Sequence, residues 1–233
     1  MPQYSDDLWL GTATGPQSQG WNGPGQVFLG VGPLGRVYIY DVVPAALSAT
    51  YVVNVQAVAA AGNVTLVASP VTLSAARALR VVSSASGDTS QGVYVTGTDY
   101  WGQAQTEYFL LNGVTTVNGK KAFKTVTQVY VGAAMAGNLS VGTQDVFGLP
   151  YAVTDAGYLL RTGWAGAVAD NAGTFVAADG TTASNTTGDV RGTFAPTGAA
   201  SNGTNRLVIA IGLTGSQAGP NATQTAAIGV TPA

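Results

Sequence analysis

Apolar and polar positions alternate with a period of two along much of this chain, and no amphipathic helical pattern is sustained over three turns. RVYIYDVV (36–43) is β-branched and aromatic, and Pro44, which lacks a ladder donor, closes it. YVVNVQAV (51–58) alternates in part. NVTLVAS (63–69) alternates cleanly, with Val64, Leu66 and Ala68 on one face. Gly62 and Asn63 between these runs predict a hairpin turn. TLSAARALRVV (72–82) reads as a strand through its RVV end, with a short helical turn as the alternative.

The central block is more regular. QGVYVTGTD (91–99) and AQTEYFLLNG (104–113) predict a hairpin about a turn at 100–103. Val93 and Val95 alternate with Tyr94 and Thr96. On the return strand Thr106, Tyr108 and Leu110 share one face, and Glu107, Phe109 and Leu111 the other. VNG (117–119) is a turn signal before a long strand at 120–132, where Phe123, Thr125, Thr127, Val129 and Val131 share a face. Residues 138–150 supply another strand, and Pro150 marks a plausible boundary between halves. Strands then follow at 157–170, 173–180, 188–196, 205–215 and 223–230. Strand-sized runs spaced roughly 8–12 residues apart, with turns between them, predict an all-β fold: an antiparallel β-sandwich or jelly-roll-like body.

Residues 1–35 break the pattern. Gly and Pro recur too often for a helix or a central strand. Yet Trp9, Trp21 and Phe28 are large apolar groups that a disordered linker would not usually carry. The segment reads either as an extended arm ordered by packing on something else or as a meandering loop on its own domain. The expected organisation is an arm at 1–35, a β domain at 36–150, and a second β domain, or a continuation of the same sandwich, at 151–233.

Composition narrows the chemistry. Only 9% of the 233 residues are charged, against roughly 25% in ordinary globular proteins. There is no His and no Cys, so there is no Ser-His-Asp triad, imidazole metal site, disulfide or thiolate nucleophile. The net charge of −2 offers no basic footprint for nucleic acid. Mean hydropathy is positive at +0.23, but the apolar runs at 36–43, 51–61 and 207–213 fall far short of the ~20 residues of a membrane helix. The first residues lack the charged and apolar regions of a secretory signal, so export by that route is not expected. A surface poor in long charged side chains loses little rotamer entropy when it is covered by a partner, which fits a protein that assembles.

Candidate reactive groups are few. Glu107 is the only glutamate, and the aspartates are dispersed, mostly beside turn residues whose backbone their side chains can bind. DNAGT (170–174) and ADGTT (178–182) do not match an EF-hand loop. The glycines at 11–15 and 30–32 do not form a phosphate loop. Lys120, Lys121 and Lys124 read as a solvated strand start, with contact to an acidic partner as the alternative. Trp101 and Trp164 are either buried or, if exposed, stacking platforms for sugars. No catalytic, cofactor-binding or metal-binding residue is expected.

The block VYVTGTDYWGQAQTEYFLLNG, followed by GKKAFKTVTQVYVG and GNLSVGTQDVFGLPY, resembles a pattern in virion proteins of tailed bacteriophages. There a VTGTDxxGQxxxE hairpin precedes GKKAFKTVT and VSVGTxDVxGLP. YSDDLWLG, VGPLGRVYIYDVVPAAL and TGDVRGTFAP also look like that family, and the likeness runs from about Tyr4 to the final GVT. It is most similar to the capsid decoration (cement) proteins of short-tailed phages. The resemblance implies a non-enzymatic protein on the capsid exterior that bridges neighbouring capsomers. Its partners would be the major capsid protein and itself, as a dimer or trimer, with no nucleic acid, membrane or cofactor. Trp9, Trp21 and Phe28 are then the candidate capsid or subunit contacts. A tail tube, head–tail adaptor or fibre part, and a carbohydrate-binding β-sandwich, are the competing expectations.

Overall fold

The computed structural model describes residues 7–8, 35–164, 173–179 and 188–214. Within them the chain is all-β and its paired strands are antiparallel. The strands are β1 (Asp7–Leu8), β2 (Gly35–Val42), β3 (Val53–Ala57), β4 (Gly62–Asn63), β5 (Val71–Ser83), β6 (Gly92–Thr98), β7 (Ala104–Leu110), β8 (Val117–Val131), β9 (Asn138–Gly148), β10 (Leu159–Trp164), β11 (Gly173–Val176), β12 (Thr193–Pro196) and β13 (Leu207–Thr214). A three-residue 3-10 turn, Ala156–Tyr158, precedes β10 and is capped by the Asp155 carboxylate. No helix among the described residues is long and apolar enough to cross a membrane.

Two sheets form a sandwich-like body. One has the order β1-β2-β13-β10. The other has the order β11-β12-β9-β5-β8-β6-β7, with β3 added on β9 and β4 on β8. Each sheet takes strands from both sides of Pro150: β2 pairs with β13, and β12 pairs with β9.

Two apolar clusters follow from this layout. The larger holds Leu73, Leu79, Val93, Val95, Phe109, Phe123, Val129, Val131, Leu139 and Val141, all contributed by the nine-stranded sheet. The second lies between the sheets and joins Tyr40, Ile209 and Ile211 to Ala75, Phe147 and Phe194. The long strands β5 and β9 serve both clusters, Leu79 and Leu139 in the first, Ala75 and Phe147 in the second. Consecutive residues Ala75–Leu79 are buried, so both faces of β5 are covered there and the alternation is lost.

The ambiguous segment at 72–82 is strand, inside β5. Three local expectations need correction. Gly62 and Asn63 are not a hairpin turn but the short strand β4, paired with Val131 and Tyr130. Residues 64–69 form no strand although their pattern alternates. The N–H groups of Val64, Thr65 and Val67 go to three different partners, Val129 O, Gln56 Oε1 and Val52 O, so no ladder forms. VNG at 117–119 begins β8 instead of turning; the turn lies at Asn112–Thr115. The predicted face of β8 also breaks. Thr127 is the extra residue of a bulge between the pairs Thr96–Gln128 and Gly97–Val126, which exposes Thr127 and turns Val126 inward.

Candidate functional site

The charged side chains are the groups on which chemistry would lie. Several cap backbone groups where the ladders shift register. Between the pairs Thr72–Thr125 and Arg77–Phe123, β5 carries extra residues against β8. There Lys124 Nζ donates to the carbonyls of Leu73 and Ser74, at 2.8 and 2.9 Å. Between Ala78–Ala122 and Arg80–Asn118, β8 carries the excess, Gly119–Lys121. Glu107 Oε1 accepts the N–H groups of Lys120 and Lys121 at that point, at 2.6 and 3.2 Å. A third shift, between Arg77–Phe147 and Leu79–Thr143, bulges β9. Here Arg77, 1% exposed, donates to Gln144 O at 2.7 Å, pairs with Asp145 and lies over the Phe147 ring. An unmet backbone group in a dry interior is costly, so each side chain answers a need made by its bulge.

The largest cluster of this kind ties a loop to a turn. Arg191, in the loop before β12, bonds Asp99 and Gln103 in the β6–β7 turn. Asp99 also accepts the N–H groups of Trp101 and Gln103 at 2.9 and 2.8 Å. Asp189 accepts N–H groups from Arg191 and from Ala122 of β8, both at 2.9 Å. Burial pushes Asp189 up to about 6 and Glu107 up to about 7. The N–H groups each carboxylate accepts oppose this without cancelling it. Glu107 Oε2 accepts no hydrogen bond among the described residues and sits close to Gly119. A Cβ there would lie 2.7 Å from that oxygen and 2.8 Å from Leu79 O, so position 119 needs glycine.

An uncharged aromatic surface lies elsewhere, on β6, β7 and β8. Tyr94 of β6 lies opposite Tyr108 of β7 and Tyr130 of β8. Their ring centroids are 4.9 and 6.1 Å apart, giving a continuous row of three tyrosines across three strands. Leu110 extends the row at half exposure. Thr96 and Thr106, and Gln128 bonded to Asn63 at 2.7 Å, flank it. Gly92 lies opposite Leu110, and a Cβ there would meet the Tyr108 ring at 2.5 Å, so this glycine lets the ring lie flat across the strand. None of these positions carries a charge.

No family model, no curated protein and no solved structure matches this chain.

Of the residues expected to make contacts, Trp9, Trp21 and Phe28 lie outside the described residues. Trp164 is 9% exposed and packs edge-on to Phe147, whereas Trp101 is 40% exposed. The lysines are not a solvated cluster: Lys121 is buried with Nζ on Thr106 O, Lys124 caps β5, and only Lys120 is exposed. The tyrosine row was within reach of sequence reasoning. Tyr94 and Tyr108 stand on the outward faces of a hairpin whose turn sets their pairing. No group of three or more Asp or Glu placed to hold a metal ion occurs among the described residues.

Proposed function

We propose that this chain is a non-enzymatic virion structural protein that binds the outer surface of a tailed-phage capsid and stabilises it by bridging neighbouring capsomers. The observation that carries the reading is the uncharged face of Tyr94, Tyr108, Leu110 and Tyr130 on a body braced by buried ion pairs. Tyrosine gives a large contact area for little lost freedom, and charge is depleted at the centre of protein interfaces. The buried charged side chains Arg77, Glu107, Lys121 and Arg191 bind backbone groups or close turns inside the body. The choice of a capsid as the partner comes from the sequence likeness to cement proteins. Many copies on a lattice would add modest contacts into tight attachment. The partners of this reading are the major capsid protein and further copies of the chain, on the capsid exterior.

Co-sedimentation with capsid shells tests it, using shells of the phage whose genome encodes the chain, stripped of this protein. The wild type is expected to pellet with shells and raise their melting temperature. The double variant Tyr94→Ser/Tyr130→Ser, both positions exposed, is expected to remain folded and lose at least tenfold in binding. Wild-type protein that stays in the supernatant contradicts the reading.

A further inference from the structure

We propose that a second site, an aromatic groove beside the β6–β7 turn, binds a pyranose ring of a polysaccharide. The groove has a volume of about 370 Å3 and is lined by Tyr38 and Tyr40 of β2, Ser74 of β5, Lys124 of β8, and Tyr100 and Trp101 of the turn. That volume is near the lower end of the roughly 300–1,000 Å3 typical of small-ligand sites.

Trp101 is the feature that asks for a ligand. The residue is 40% exposed, yet its ring is held by a hydrogen bond and an aromatic contact. The indole N–H donates to Pro150 O at 2.7 Å, and the backbone N–H donates to Asp99 Oδ1 at 2.9 Å. The ring stands edge-to-face against Tyr100, with centroids 4.9 Å apart. Asp99 is itself held by Arg191, so the whole turn is braced from inside. A large apolar ring kept partly in water loses the stabilisation of burial. Held in one orientation, it gives up little freedom when a flat ligand covers it.

The polar groups narrow the ligand class. Tyr38 and Tyr100 share a hydrogen bond between their hydroxyls at 3.1 Å, which leaves acceptor capacity on both oxygens. Lys124 donates two of its three N–H groups to the carbonyls of Leu73 and Ser74, so one more donor is available. Asp41, also on the lining, is taken up by Arg206. An aromatic platform with hydroxyls and one ammonium at its edge matches a ring that is apolar on its C–H face and hydroxylated at its rim. A pyranose has that shape. A purely apolar ligand would leave these donors unanswered.

The test is a titration of the 15N-labelled full chain with maltotriose, cellotriose, mannotriose and trigalacturonate, followed by amide and indole resonances. At least one is expected to bind with millimolar affinity, with shifts confined to Trp101 Nε1–H and the amides of Tyr38, Tyr100 and Lys124. The uronate arm tells whether the Lys124 ammonium reads a carboxylate or a hydroxyl. Trp101→Ala is expected to keep the wild-type spectrum elsewhere and weaken binding at least tenfold. Should that variant fail to fold, the wild-type shift map decides alone. No shift with any of the four at tens of millimolar overturns the proposal, and so do shifts centred on Tyr94 and Tyr130. Capsid attachment does not depend on this groove, so either result leaves that reading standing.

Discussion

Glu107 shows how a carboxylate can hold the inward position that alternation assigns to it. It occupies an inward position on β7, between Gln105 and Phe109, and it is buried. Alternation alone places it there, on the face shared with Phe109 and Leu111. Its reason for being there lies in β8, at the bulge whose N–H groups it accepts. The folded state therefore holds the Glu107 proton more tightly than the unfolded chain does, and the same is true of Asp189. A raised carboxyl pKa means that the folded state binds the extra proton, so stability falls as pH rises from the ordinary carboxylate range through about 6 to 7. Asp88 and Asp41 act in the opposite sense. Hydrogen bonds from Ser83 and from Arg206 hold them below the usual range, and their contribution is lost as pH falls through it. The melting temperature should therefore peak near pH 5 and decline toward pH 8, with a loss of stability on the order of 4 kcal/mol. Glu107→Gln should flatten most of that decline. A stability that is level or rising between pH 5 and pH 8 would contradict the assignment, and thermal melts across that range are enough to decide.

At the scale of elements, regular hairpins were legible and irregular ladders were not. The β6–β7 hairpin follows from alternation and from a turn that contains Gly102, and its registered pairs run unbroken from Gly92–Leu110 to Thr98–Ala104. The bulges in β5, β8 and β9 have no such local signal. They arise where β5 pairs with β8 and β9 and where β5 and β9 serve two cores, and a one-residue slip changes which side chains face inward. Thr127 therefore points outward against the alternation, and Lys121 and Lys124 reach backbone carbonyls instead of solvent. Alternation also misled at 64–69, where it continues through Leu66 without a neighbouring strand to complete a ladder. Of the site residues, the tyrosine row follows from the hairpin, while the Trp101 groove does not: it needs β2, β5 and β8 brought beside the turn. The loop before β12 is joined to that turn through Arg191. Arg191→Ala would leave Asp99 buried beside a lost partner, and the cost should be about 3–5 kcal/mol. Urea unfolding measures it. A loss under about 1 kcal/mol would show that the pair does not hold loop and turn together.

Across the whole molecule, low charge has two consequences that belong together. The interior uses charged groups to complete backbone ladders, and the patch of Tyr94, Thr96, Thr106, Tyr108, Leu110, Gln128 and Tyr130 on β6, β7 and β8 carries no charge. On the proposed reading, that uncharged patch is the one turned toward the shell. All-β architecture was readable from strand spacing; the association of β2 with β13 and of β12 with β9 was not, because those partners are far apart in the chain. For the proposed capsid role, the most direct measurement is an electron cryomicroscopy reconstruction of phage capsids assembled with and without this chain. Added density on the outer surface, spanning neighbouring capsomers with the Tyr94–Tyr130 face turned toward the shell, is the result expected. Capsids identical in both maps, or the chain found as rings in the tail, would contradict the account.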